Sequence, residues 1–192
     1  MNHSTLITSN PALIIIDMQQ GMTESRLGAR NMPEAEDHIA QLLATWRSLD
    51  LPIVHVRHMS RSPDSVFWPG QAGAQIQSRF TPLVNEYVME KNVTDAFCNS
   101  GLERWLHGRG ISSLVMVGVA TNYSVEASAR SAACLGFKLV VVSDACFTFD
   151  RVDCNGGLQS AEQIHQMSLS NLQGEYAELM LTADLLLQCQ RD

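Results

Sequence analysis

Short apolar runs alternate with amphipathic stretches along most of this chain. The runs contain no regular polar interruption and end at polar or turn residues, which is typical of strands covered on both faces. We predict strands over residues 12–17, 52–56, 86–89, 113–118, 138–142 and 176–181. Because each run is far shorter than the roughly 20 apolar residues that a membrane span requires, no membrane association is expected.

The stretches between these runs carry apolar residues at helical spacing. The clearest example begins at Pro33 and runs to about Ser48, with Ile39, Leu43 and Trp46 on one stripe. Further helices are predicted over residues 101–107, 121–135 and 160–172 and at the carboxyl terminus. The alternation of strands and helices predicts an α/β fold, a three-layer α/β/α arrangement around a mostly parallel, six-stranded, Rossmann-like sheet.

One segment, residues 57–81, shows neither the continuous apolar run of a buried strand nor the helical spacing of apolar residues. It contains Pro63, Pro69, Gly70 and Gly73. A loop this long inside a compact domain is usually functional or acts as a lid.

Composition and charge narrow the class of protein. The chain has 192 residues, of which 45% are hydrophobic and 17% charged, so it is too apolar for a disordered protein. This length predicts one domain over residues 1–192. The net charge of −7 argues against a nucleic-acid partner, since phosphate binding needs clustered Lys and Arg. The polar start, Met1–Asn10, does not resemble a signal peptide, and a cytoplasmic location is expected.

The cysteines exclude two kinds of site. The chain has five of them, an odd number, and no pair has the C-x-x-C spacing. Neither a disulfide framework nor a cysteine-based zinc site is therefore predicted, and a reducing compartment fits best.

Polar residues follow several of the predicted strands. Asp17, Lys91 and Asp144 stand at or near strand ends, and Gly118–Ser124 joins a strand to a helix. Taken singly, each has an ordinary explanation: Asp17 caps a turn, Lys91 is a surface lysine, and Thr121 is a helix N-cap. Taken together, they place an acid, a base and a helix N-terminus at the carboxyl edge of a parallel sheet, where ligands bind in such folds.

Four segments, in order and in register, carry a family resemblance. They are Ala12–Gln20 (ALIIIDMQQ), Glu90–Lys91 with Asp95–Phe97 after it, Gly118–Arg130 (GVATNYSVEASAR) and Leu135–Ala145 (LGFKLVVVSDA). The chain resembles the isochorismatase-like cysteine hydrolase superfamily, which includes nicotinamidases and hydrolases of carbamoyl and ureido amides. The resemblance covers nearly the whole chain.

The resemblance implies a set of catalytic roles. In that family an Asp is the general base, a Lys stabilises charge, and a Cys attacks an amide carbonyl; the matching positions are Asp17, Lys91 and Ser124. It also implies a cis peptide at Val119–Ala120 and an oxyanion hole made by the backbone N–H groups of Ala120 and Ser124. The implied activity is hydrolysis of a C–N bond in a small amide, carbamoyl or ureido compound, by a homodimer or homotetramer without a cofactor.

Position 124 departs from the family pattern. A serine alkoxide is far harder to form than a thiolate, and no histidine accompanies Ser124 as in serine hydrolases. Three explanations stay open: an engineered Cys-to-Ser change, which we favour; a natural variant with a slow nucleophile or none; and a member that, like true isochorismatases, hydrolyses a vinyl ether without a nucleophile. A non-catalytic ligand-binding homologue is the alternative outside enzymes.

The histidines do not predict a metal site. Some nicotinamidases bind zinc through an Asp-x-His pair and a further His, but no Asp stands two residues before His55 or His58. Strand alternation would also point these two side chains to opposite faces. We therefore predict no metal, and expect His165, which falls on a helix, to be structural.

Several residues are expected to contact the substrate. Arg57 and Arg61 are candidates to bind a carboxylate or ureido group through the guanidinium fork. Cys98 is expected to be a buried or half-buried small apolar residue. The residues predicted to line the pocket are Gln19, Met22, Phe67, Trp68 and Tyr123.

Overall fold

The computed structural model describes residues 10–189. The expectation that the polar start is not a signal peptide rests mainly on residues 1–9, which lie outside the described residues. The strands are β1 (Ala12–Ile16), β2 (Ile53–His58), β3 (Tyr87–Lys91), β4 (Ser113–Val119), β5 (Lys138–Phe147), β6 (Arg151–Val152), β7 (Leu158–Gln159) and β8 (Glu178–Met180). The helices are α1 (Ala35–Ser48), α2 (Leu102–His107), α3 (Glu126–Cys134), α4 (Ala161–Leu172) and α5 (Thr182–Cys189).

Six of the strands form one parallel sheet in the order β3-β2-β1-β4-β5-β8. The chain builds outward from β1 to β3 and then returns to lay β4 against the other side of β1. This reversal creates a switch point between β1 and β4, and the crevice at their carboxyl ends is where such sheets bind ligands. The predicted α/β fold with a six-stranded, mostly parallel sheet is confirmed.

Helices cover both faces of the sheet, and as a result every residue of β1 and β4 is buried. On one face Leu43 and Trp46 of α1 pack with Leu185 of α5 against the sheet. On the other face Leu102 and Leu169 belong to the second apolar cluster. The predicted three-layer arrangement follows from these two separate cores.

The carboxyl half differs from the sequence prediction in three places. Strand β5 continues to Phe147 instead of ending at 142, and its pairing with β4 shifts register between Met116 and Gly118. Inside the longer strand, the Asp144 carboxylate accepts bonds from the N–H and hydroxyl of Thr182, both at 2.8 Å. Asp144 therefore caps α5, which leaves it out of the candidate site.

The other two differences flank the site. The antiparallel pair β6–β7 was not predicted, because its strands have only two residues each. The helix predicted from residue 121 begins with a π-helical turn, Thr121–Val125, before α3. Residues 57–81 are largely irregular beyond β2, as predicted, with two short 3-10 turns. No helix in the described part of the chain is long and apolar enough to cross a membrane.

Candidate active site

Three side chains from distant parts of the chain meet at the carboxyl edge of the sheet. Asp17 follows β1, Lys91 ends β3, and Ser124 lies in the π-helical turn after β4. The Lys91 ammonium lies 2.7 Å from Asp17 Oδ2 and 3.1 Å from Ser124 Oγ. All three residues are buried. The structure thus brings together the three residues that the resemblance matched to catalytic positions.

The hydrogen bonds of Lys91 and Asp17 leave one atom free. Besides Asp17 and Ser124, the ammonium donates to the carbonyl of Val93 at 3.2 Å, so three acceptors use its three protons. Asp17 Oδ2 accepts from Lys91, whereas Asp17 Oδ1 is buried with no hydrogen-bond partner within residues 10–189. A buried carboxylate oxygen without a partner is costly. Oδ1 is therefore the atom of this cluster that can take a proton from a ligand or nucleophile.

The backbone around Asp17 is fixed by close approach of β1 and β4. Asp17 itself has a left-handed φ of 53°, and its N–H donates to the carbonyl of Val56 at 2.8 Å. Gly118 has φ 122°, and a Cβ placed there would lie 2.1 Å from the carbonyl oxygen of Ile16. Only glycine fits at this contact. The next peptide, Val119–Ala120, is cis, as the resemblance implies.

Helix α4 anchors the turn that carries Ser124. His165 and Thr121 are both fully buried, and His165 Nδ1 lies 2.8 Å from Thr121 Oγ1. The hydroxyl of Ser168 donates to the carbonyl of Thr121 at 3.1 Å. Burial lowers the pKa of His165, which keeps the ring neutral. His165 is structural, as expected, but its contact with Thr121 was not predictable, since helical spacing does not reveal what a helix packs on.

Gln19 holds the long loop against the sheet. It is fully buried, its amide donates to the carbonyls of His58 and Ala74 at 2.9 Å, and its side-chain oxygen accepts from the N–H of His58 at 2.7 Å. Met22 packs on the core, and Tyr123 is half-exposed with the Arg151 guanidinium 4.4 Å above its ring. Gln19 is predicted to line the pocket, and in the structure it is fully buried and supports residues 57–81 through these bonds.

An open cleft of about 580 Å³ lies beside the site and has Lys91 in its lining, but the Lys91 side chain is fully buried and neither Asp17 nor Ser124 lines this cleft. Trp68 lies in its wall, whereas Phe67 packs edge-on against the His58 ring at 6.1 Å. Cys98 also lines the cleft and is exposed, so the expectation that it would be buried or half-buried is wrong. The lining residues are Met59, Ser60, Arg61, Trp68, Pro69, Glu90, Lys91, Asn92, Cys98 and Asn99.

His55 and His58 have separate surroundings. His55 is buried and its Nε2 lies 2.8 Å from Glu86, which also binds Arg47 at 2.6 Å. Burial lowers the pKa of His55 and, together with the charge of Lys91, that of His58. For Glu86, burial alone would raise the pKa, but hydrogen bonds from Arg47, the Leu83 N–H and His55 outweigh it and lower the pKa to about 2. The two histidine side chains therefore interact with different groups, His55 with Glu86 and His58 with the charge of Lys91.

Comparison with known proteins identifies the family of this chain. The chain matches the family described as Isochorismatase domain over residues 11–184. The isochorismatase family protein YrdC of Bacillus subtilis is 32% identical over 175 residues, covering 91% of this chain and 94% of that protein. A solved structure of an isochorismatase-family protein from Chromobacterium violaceum has a TM-score of 0.94 and 42% identity, covering 96% of each chain.

A relative with a named activity is more distant. Maleamate amidohydrolase of Pseudomonas putida is 27% identical over 194 residues, covering 93% of this chain and 86% of that protein. The family is hydrolytic and includes amidohydrolases. The match over most of the chain, the shared fold and the residues gathered at the sheet edge show that this chain belongs to the isochorismatase domain family.

Proposed function

We propose that this site hydrolyses a C–N bond in a small amide, carbamoyl or ureido compound through an acyl-enzyme. The observation that carries the proposal is the buried contact of Asp17, Lys91 and Ser124, with Asp17 Oδ1 left free to move a proton. The amidohydrolase among the relatives supports this class of reaction.

The proposed reaction uses each group once per step. Asp17 takes the proton from the nucleophile at position 124, which attacks the carbonyl carbon. The oxyanion that forms accepts hydrogen bonds from the N–H groups of Ala120 and Ser124. The C–N bond then breaks, Asp17 returns the proton to the leaving nitrogen, and ammonia departs. Water, deprotonated by Asp17, attacks the acyl carbon and releases a carboxylate or carbamate and the free nucleophile.

Lys91 has an electrostatic role in this scheme. It neutralises the buried Asp17 carboxylate, which would otherwise be costly to hold in the ionised state. Its bond to Ser124 Oγ also favours the deprotonated form of a nucleophile at that position. Because its three protons are used within the protein, Lys91 stabilises charge without binding the substrate directly.

Serine makes the first step slow. A hydroxyl is much harder to deprotonate than a thiol with a free pKa of about 8.5, and no histidine hydrogen-bonds Ser124 within residues 10–189. We propose that a Cys at position 124 completes this site, and that the chain with Ser124 binds its substrate and turns it over slowly.

The test measures ammonia release from a panel of primary amides, carbamoyl and ureido compounds. We expect the Ser124→Cys variant to act on at least one compound at least 100-fold faster than the chain with Ser124, and Ser124→Ala to be inactive. Ser170→Cys is the matched control, because it adds a thiol on the exposed face of α4. Absence of ammonia with every compound would refute the proposal.

Isochorismate serves as a further arm of the same assay. Equal turnover of isochorismate by Ser124 and Ser124→Ala proteins would show vinyl-ether hydrolysis that needs only Asp17. Binding without product in all variants would show a ligand-binding homologue. Either result, with no amide hydrolysed by Ser124→Cys, would replace the proposed amidase activity.

A further inference from the structure

The three residues that precede Ser124 in the π-helical turn are each held by a side chain from residues 148–168. The contacts are His165 with the Thr121 hydroxyl at 2.8 Å, the Thr148 hydroxyl with the Asn122 side chain at 2.6 Å, and the Arg151 guanidinium over the Tyr123 ring at 4.4 Å. π-Helical turns are rare and occur mostly at functional sites. The surroundings of this turn therefore decide where its last residues lie.

Thr148 is the most firmly fixed of these partners. It lies just after β5 and is only 1% exposed. Both of its backbone groups bond to Asn31: its N–H donates to the Asn31 side-chain oxygen at 2.9 Å, and its carbonyl accepts from the Asn31 N–H at 3.3 Å. The Asn31 amide in turn donates to Glu162 of α4 at 3.2 Å. The Thr148 hydroxyl therefore extends from a backbone that is anchored at two points.

Asn122 transmits this anchor to the nucleophile position. It is half-buried and lies two residues before Ser124 inside the same turn. The bond from Thr148 to Asn122 Oδ1 fixes one point of the turn, so a shift of Asn122 also moves the backbone N–H and the side chain of Ser124. Both groups of Ser124 are used in the proposed reaction, and the 3.1 Å contact of its Oγ with Lys91 depends on the same placement.

Thr148 acts at a distance from the reacting groups. Within residues 10–189 its side chain donates to Asn122 and forms no hydrogen bond with Asp17, Lys91 or Ser124. A displacement of about 1 Å caused by a change away from the chemistry can lower a rate about 100-fold. Loss of one anchoring hydrogen bond is therefore expected to affect the rate more than it affects substrate binding.

We infer that Thr148 is a positioning residue, which places the nucleophile at position 124 through its hydrogen bond to Asn122. The inference rests on the proposed function, because it takes residue 124 to be the nucleophile. Networks of this kind, in which one buried side chain fixes the orientation of another, hold reacting groups in their productive geometry.

The first test compares isosteric variants in the Ser124→Cys protein. Thr148→Val removes the hydroxyl and keeps the shape; we expect kcat for ammonia release to fall at least 10-fold and KM to change less than 3-fold. Thr148→Ser should restore kcat to within 3-fold. Thr182→Val is the matched control, because the buried Thr182 hydroxyl donates to Asp144 at 2.8 Å in α5, on the opposite face of the sheet from α4; kcat should change less than 2-fold.

A second readout does not require turnover. Iodoacetamide alkylates the thiol introduced by Ser124→Cys, and mass spectrometry of the peptide containing residue 124 separates it from the five native cysteines. We expect Thr148→Val to slow this alkylation at least 5-fold and Thr182→Val to change it less than 2-fold. Asn122→Ala removes the acceptor at a half-buried position and should slow it equally. The double variant should be no slower than either single variant, because both remove the same bond.

Four results would overturn the inference: Thr148→Val leaves both rates unchanged, Thr182→Val slows them as much, Thr148→Ser does not restore them, or the effects of Thr148→Val and Asn122→Ala multiply. The two readouts also separate this failure from that of the proposed function. If no variant releases ammonia but alkylation depends on Thr148 as expected, the positioning role stands and the amidase proposal is refuted. If Ser124→Cys releases ammonia equally fast with Thr148→Val, the amidase proposal stands and the role of Thr148 is refuted.

Discussion

Replacing Gly118 with alanine tests how closely β1 and β4 must approach to build the site. The added Cβ would lie 2.1 Å from the Ile16 carbonyl oxygen and 2.8 Å from the Ile16 nitrogen, both backbone atoms that no side-chain rotation can move away. The strands must separate next to Asp17. We expect loss of stability together with displacement of the Asp17 carboxylate from Lys91.

The cost has two parts. Alanine at a positive φ costs about 1–2 kcal/mol, and forcing atoms into a packed interior typically costs about 1–3 kcal/mol. Their sum, about 2–5 kcal/mol, is a large share of the 5–15 kcal/mol that stabilises a typical domain. With a urea m-value of about 2 kcal/mol/M, the midpoint of unfolding should fall by about 1–2.5 M.

Gly136→Ala is the matched control. Gly136 also has a positive φ, 87°, but a Cβ there would meet no atom within 4 Å, so the variant bears only the backbone cost. Urea unfolding followed by circular dichroism would compare the two variants with the parent. If Gly118→Ala is no less stable than Gly136→Ala, the close contact between the strands is not what requires glycine.

Two further predictions concern buried charges. The pKa of Glu86 is lowered to about 2 in the folded protein, so its contribution is complete above the ordinary pKa of about 4.5 and is lost as pH falls toward 2. Glu86→Gln should therefore lower the free energy of unfolding by about 2 kcal/mol near pH 7, after the pKa shift is discounted for solvent screening. The difference in this free energy from the parent should shrink below pH 4.5 when unfolding is measured across pH. A difference that stays constant would contradict the assignment. Lys91→Ala should cost about 3–5 kcal/mol, because it strands the buried Asp17 carboxylate, and the double variant Asp17→Asn/Lys91→Met should recover part of this loss in urea unfolding. Equal stability of Lys91→Ala and the parent would show that the pair contributes nothing.

The sheet could be predicted because its strands are buried on both faces. Short, continuous apolar runs such as Ala12–Ile16, bounded by polar or turn residues, favour strands buried on both faces, and the helices between them favour parallel connections. The extension of β5 and the pair β6–β7 were not predictable in the same way. Both depend on local contacts, such as the Asp144 cap on α5, which leave no periodic pattern.

The site could be predicted in part for a related reason. Asp17, Lys91 and the turn at Ser124 follow apolar runs, and parallel strands bring such residues to one edge. The role of Gln19 depends instead on which loop atoms it meets. Only the structure shows that Gln19 is fully buried and bonds to the backbone of His58 and Ala74 within residues 57–81.

The most direct test of the account is the rate of ammonia release by Ser124→Cys on the panel of primary amides, carbamoyl and ureido compounds, measured beside the parent and Ser170→Cys. The account predicts a gain of at least 100-fold over both proteins, abolished when Asp17→Asn is added to Ser124→Cys. A Ser124→Cys protein that folds like the parent and releases no ammonia from any amide, carbamoyl or ureido compound would contradict it.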